Sequence, residues 1–125
     1  MKICVTSQGD TLDSGIDMRF GRCRYFLFID TDSLAFEAVK NPYSEASGGA
    51  GIDSPLLVAG RGAKAVLTGH CGPNAFHALQ AAGIEVFLGI TGTVRKAVEL
   101  YKEGGMEASA GPDVIPESGM NDKQA

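Results

Sequence analysis

The chain has 125 residues, enough for one domain with its own hydrophobic core. With 44% hydrophobic and 21% charged residues and 17 glycines, its composition is that of a loop-rich α/β protein and excludes a disordered one. A net charge of -4 disfavours nucleic-acid binding, which calls for a basic excess, and no apolar run reaches the length of a membrane span.

The first strand is predicted over residues 2–6, where Ile3 and Val5 alternate with Cys4 and Thr6. It begins directly at residue 2 without a signal-like apolar segment, so the expected compartment is the cytoplasm. Residues 7–23 form a long polar loop carrying Gly9, Gly15 and Gly21, and loops of this length are often functional. Its last part, Met18-Arg19-Phe20-Gly21-Arg22-Cys23, sets two soft sulfur groups beside two guanidiniums. The second strand, 24–30, contains the continuous apolar run from Tyr25 to Ile29 and belongs in the middle of a sheet. A hairpin turn at 31–33 leads to a third strand at 34–40, mixed in composition as an edge strand is.

Residues 41–51 form a loop ending Ser47-Gly48-Gly49-Ala50-Gly51, followed by a short helix over 52–60 with Pro55 near its first turn. A fourth strand is predicted at 65–68, a second helix at 73–82 ended by Gly83, and a fifth strand at 84–88. After the glycine turn 89–92 comes a third helix, 93–103, in which Val94, Ala97, Val98 and Tyr101 form a core-facing stripe. Residues 106–125 are polar and read as a flexible tail behind a single domain spanning 1–105.

Short connections join the first three strands as an antiparallel meander, and helical crossovers make the later strands parallel. The predicted fold is therefore α/β and ribonuclease-H-like. It has a five-stranded mixed sheet in the order 3-2-1-4-5, with only strand 2 antiparallel, and three helices. In that topology the 7–23 loop, the 41–51 loop, the 69–72 turn and the 89–92 turn gather at one sheet edge, where open α/β sheets place their ligands.

Residues 65–77 are the centre of that edge: a buried strand, a tight turn Gly69-His70-Cys71-Gly72, and a helix opened by Pro73. Gly69 and Gly72 allow a sharp turn close to a ligand, and the helix N-terminus favours an anion. The candidate cofactor-binding residues are Met18, Arg19, Gly21, Arg22, Gly49, Gly69, Gly72 and Gly92, and the candidate metal ligands are Cys71, His70 and Cys23. For Cys23 the alternative is core packing, for Cys71 a small residue filling a tight turn, and for His70 a surface side chain capping a loop. His77 lies on the solvated helix face or in the site. Three widely spaced cysteines without a Cys-x-x-Cys pair make neither a disulfide framework nor a self-contained zinc or ferredoxin-type site.

Phe20-Gly21-Arg22-x-x-Tyr25-Phe26 and Gly69-x-x-Gly72-Pro73-Asn74-Ala75-Phe76-x-x-Leu79-x-x-Ala82-Gly83-Ile84 resemble the two motifs of a known family. It is the dinitrogenase iron–molybdenum cofactor biosynthesis family, which includes NifX-like and orange-protein-like domains and the C-terminal domain of NifB. The resemblance covers about residues 1–105. It implies non-covalent carrying of an iron–sulfur cluster, or of a molybdenum- and iron-containing cofactor precursor, between donor and acceptor proteins, by a monomer or weak homodimer that is not an enzyme. The competing reading is a protein-interaction or small-anion module without a cluster. A nuclease is rejected: the first strand offers Cys4 and Thr6, and the fourth ends Thr68-Gly69-His70, so the carboxylates of a two-metal site are missing. No Walker-type Gly-Lys-Ser/Thr occurs either.

Overall fold

A computed structural model describes residues 1–42 and 50–111, with the backbone alone for residues 50–52. In chain order the elements are β1 (Lys2–Ser7), β2 (Tyr25–Asp30), β3 (Phe36–Lys40), α1 (Ala50–Gly60), β4 (Ala65–Leu67), α2 (Pro73–Ala81), β5 (Glu85–Phe87) and α3 (Val94–Lys102). The sheet order is β3-β2-β1-β4-β5, with β2 antiparallel to both neighbours and β4 parallel to β1 and β5. This is the predicted arrangement, strand for strand.

Both sheet faces are covered, which is why β2 is apolar at consecutive positions. On one face Cys4, Phe26, Phe28, Val66 and Val86 pack with Val58 of α1 and with Ala75, Phe76 and Leu79 of α2. On the other face Ile3, Val5, Leu27, Ile29, Leu67 and Phe87 meet Val94, Ala97 and Val98 of α3. Leu12 and Ile16 join that second core, so the 7–23 loop is not merely polar. It folds back along β1 through a bridge between Ser7 and Ile16. It also lies over the start of α3, where Ser14 and Leu12 carbonyls accept the N–H groups of Val94 and Arg95 at 3.0 and 2.8 Å.

The hairpin between β2 and β3 is longer than predicted. Asp30 Oδ1 accepts the N–H of Asp32 at 2.8 Å and of Ser33 at 3.1 Å, an Asx turn that also holds the carboxyl below its usual range. Leu34 then takes φ 64°, a left-handed conformation incompatible with a strand, so β3 begins at Phe36 rather than at residue 34. After α3, Met106 packs on the second core and the Ser109 N–H donates to the Val86 carbonyl at 2.8 Å. Residues 43–49 of the expected 41–51 loop and the rest of the expected tail, 112–125, lie outside the described residues, and α1 begins at Ala50 rather than at residue 52. Among the described residues no helix is long and apolar enough to cross a membrane.

Two predictions follow from these contacts. Thr93 caps α3, its hydroxyl accepting the Lys96 N–H at 3.2 Å. Thr93→Ala is expected to lower unfolding stability by about 1 kcal/mol in urea titration. The thiols of Cys4, Cys23 and Cys71 are all buried in the first core. A thiol reagent added to the native protein at neutral pH should therefore modify none of them rapidly, and all of them once the chain is unfolded.

Candidate functional site

The two glycine-containing segments are joined backbone to backbone. The His70 N–H donates to the Met18 carbonyl at 2.7 Å, and the Phe20 N–H donates to the His70 carbonyl at 3.0 Å. Together they make a parallel bridge between Arg19 and His70. Gly69 is what permits it. A Cβ there would lie 2.5 Å from Met18 Cε and 2.8 Å from the Met18 Cα and carbonyl oxygen. The close approach expected at Gly69 is thus to the protein's own backbone, not to a ligand. Gly69 in turn accepts the Gly89 N–H at 2.9 Å, tying in the third glycine turn.

Asp17 and Asn41 organise the 17–24 segment, and neither was singled out from the sequence. The Asp17 N–H donates to the Thr6 carbonyl at 3.0 Å, and the Thr6 hydroxyl reaches the Asp17 carbonyl at 2.7 Å and the Thr68 hydroxyl at 2.8 Å. The Asp17 carboxylate accepts the N–H of Arg19 at 3.2 Å and of Arg24 at 3.1 Å. Asn41 Nδ2 donates to the carbonyls of Gly21 at 3.1 Å and Cys23 at 2.9 Å. An aspartate in a polar loop and an asparagine after a strand look like ordinary turn residues. Their burial becomes visible only when the loop is folded over β1.

The candidate ligands divide into inner and outer groups. Cys71 is 1% exposed and belongs to the first core, whereas His70, one residue earlier, is exposed. Cys23 is enclosed beside Asn41, whose Nδ2 lies 3.8 Å from the sulfur. Burial raises the Cys23 thiol well above its usual range, and neighbouring Cys4 and Asp17 add to the rise. Among the described residues no three His, Cys, Asp or Glu side chains are grouped to hold a metal ion. The Arg19 side chain is 64% exposed and Arg22 is half-buried. Met18 packs partly against the second core, and Gly49 lies outside the described residues.

The helix starts differ in what they offer. At α3 the first-turn donors are spent on Ser14, Leu12 and Thr93, while the Gly92 carbonyl accepts the Ile16 N–H at 2.9 Å. Gly92 itself takes φ 89°, which accounts for glycine there. At α2 the N-cap is Gly72, without a capping side chain, and Pro73 has no N–H to offer. Among the described residues no acceptor meets the N–H of Asn74 or Ala75. Gly72 has ordinary φ of -71°. The backbone does not require glycine at this position, and among the described residues nothing stands within 4 Å of where a Cβ would be. One edge therefore carries Arg19, Arg22 and the start of α2, whose N-cap Gly72 supplies no side-chain acceptor.

Comparison with known proteins places the fold and the family. The family model described as dinitrogenase iron-molybdenum cofactor matches residues 1–104. The apo form of the orange protein from Desulfovibrio gigas superposes with a TM-score of 0.87 at 43% identity, over 90% of this chain and 96% of that one. A Thermotoga protein solved by NMR gives 0.75 at 33% identity, over 86% and 91% of the two chains. An uncharacterized protein of Methanocaldococcus jannaschii is 28% identical over 91 residues, 70% of this chain and 77% of the other. The chain belongs to the dinitrogenase iron–molybdenum cofactor family.

Proposed function

We propose that the chain carries an anionic metal–sulfur cluster, an iron–sulfur or molybdenum- and iron-containing cofactor precursor, between a donor and an acceptor protein, without catalysing a reaction. The observation that supports this most is the Arg19–His70 bridge, which sets the arginine loop against the uncapped start of α2. Family membership supplies the class of cargo.

The donor set suits hydrogen-bonded cargo better than a thiolate cage. The N–H groups of Asn74 and Ala75 and the guanidiniums of Arg19 and Arg22 would neutralise the anion, with Gly21 and Gly72 contributing no side chain to the edge. His70 stands at the mouth and is the side chain placed to meet a metal directly. Cys71 and Cys23 form the floor, and either would ligate only if the turn opened. Gly69 and Gly92 shape the backbone beneath, and Met18 supports it from the second core. Cargo held in this way leaves without breaking several metal–thiolate bonds, which is what transfer to an acceptor requires. The cytoplasm is the compartment in which such a transfer would take place.

Anaerobic reconstitution with ferrous iron and sulfide tests this reading. The expected result is a coloured protein that keeps its metal after desalting. Arg19→Ala with Arg22→Ala should cut retention about tenfold at low ionic strength and less at high, because exposed charges are screened. Gly72→Ser should act in two directions at once. It should raise stability by a few tenths, roughly 0.3 kcal/mol, by capping α2, and lower retention because the hydroxyl occupies a donor the cargo needs. Wild-type protein that is colourless after desalting would reject cluster carrying and leave the interaction-module reading.

A further inference from the structure

Asp17 is the buried carboxylate among the described residues, 5% exposed at a loop position. Burying a carboxylate is unfavourable unless its oxygens are satisfied. Here Oδ1 accepts the Arg19 N–H and Oδ2 accepts the Arg24 N–H, so the two ends of one loop converge on a single side chain. Between them Phe20, 1% exposed, anchors the loop in the first core, and its ring lies 5.7 Å from that of Phe26. The Arg19 guanidinium is near the same carboxylate but not bonded to it: Nε lies 3.7 Å from Oδ1, beyond hydrogen-bond length. The carboxylate's hydrogen bonds go to the backbone, and the guanidinium keeps only this long ion pair, with 64% of its side chain exposed.

We propose that Asp17 is the positioning residue of the anion site: its carboxylate is the template around which the 18–24 loop is wound. The template presents Arg19 and Arg22 to cargo without reorganisation. This rests on the reading of the edge as an anion carrier and adds a consequence of opposite sign to simple electrostatics. A carboxylate near an anion should weaken binding through repulsion. As a template it strengthens binding, because the ordering of the loop precedes the cargo's arrival.

Two variants separate the accounts. Asp17→Asn keeps the shape but has one acceptor oxygen, so one of the two N–H groups loses its partner. Asp17→Glu keeps the charge but moves it by a methylene. Inorganic phosphate serves as the probe anion, titrated against the amide resonances of residues 18–24, Asn74 and Ala75. In the wild type these should shift saturably, and both variants should weaken phosphate binding at least tenfold. Amide exchange at Arg19 or Arg24 should accelerate at least tenfold in each, while Val5 and Leu67 stay protected. Equal or tighter binding by Asp17→Asn, or Asp17→Glu binding like the wild type, would overturn the proposal. So would a wild type showing no saturable shift at these amides. Failure of cluster carrying shows separately, as wild-type protein that stays colourless on reconstitution while the phosphate series remains readable.

Discussion

The backbone of Met18 lies against Gly69 where any side chain would force it away, with Met18 Cα only 2.8 Å from where a Cβ would stand. That contact lets the 18–20 segment bond to His70 on both sides and close the sheet edge above β1 and β4. Beneath it the Thr6 and Thr68 hydroxyls, both fully buried, meet at 2.8 Å and satisfy each other where two parallel strands end. Without the approach at Gly69 the arginine loop would be a separate excursion. With it, that loop and the turn before α2 become one surface.

This surface is asymmetric in its use of backbone donors. The start of α3 is sealed by the Thr93 cap and by carbonyls of the folded-back loop, so its end serves stability. The start of α2 is left with glycine at the N-cap, where serine, aspartate or asparagine would hold the helix better. A local departure from the stable choice, at the point where the two family motifs meet, is how a site differs from scaffold. The inward side of the same turn is the reverse: Cys71 and Cys23 are core residues, and burial keeps the Cys23 thiol protonated. Soft ligands and hydrogen-bond donors are thus separated by the thickness of one turn. Under the proposed function, an anion would meet the donors first.

Much of this was legible in the amino-acid order. The apolar run of β2, the stripe Val94-Ala97-Val98 of α3 and the short meander connections led to the observed sheet, because period and loop length carry that information locally. What depends on a second segment was not legible. Asp17 looks like a solvated loop acid until Thr6, Arg19 and Arg24 surround it. His70 and Cys71 look equivalent on a turn until the bridge to Arg19 sends one outward and the other into the core. Gly69 reads in the sequence as a glycine that lies close to a ligand, whereas the structure sets it against Met18. Leu34 gave no warning of its left-handed backbone, which the Asx turn at Asp30 imposes.

The central claim is that cargo sits on the bare end of α2 against the arginine loop. Amide hydrogen exchange before and after anaerobic loading with iron and sulfide tests it most directly. The account predicts slowed exchange in segments 18–24 and 72–76, with no change at Val94, Arg95 and Lys96, whose donors are already bonded. Protection that appears at the start of α3, or that leaves Asn74 and Ala75 exchanging as fast as in the unloaded chain, would contradict it.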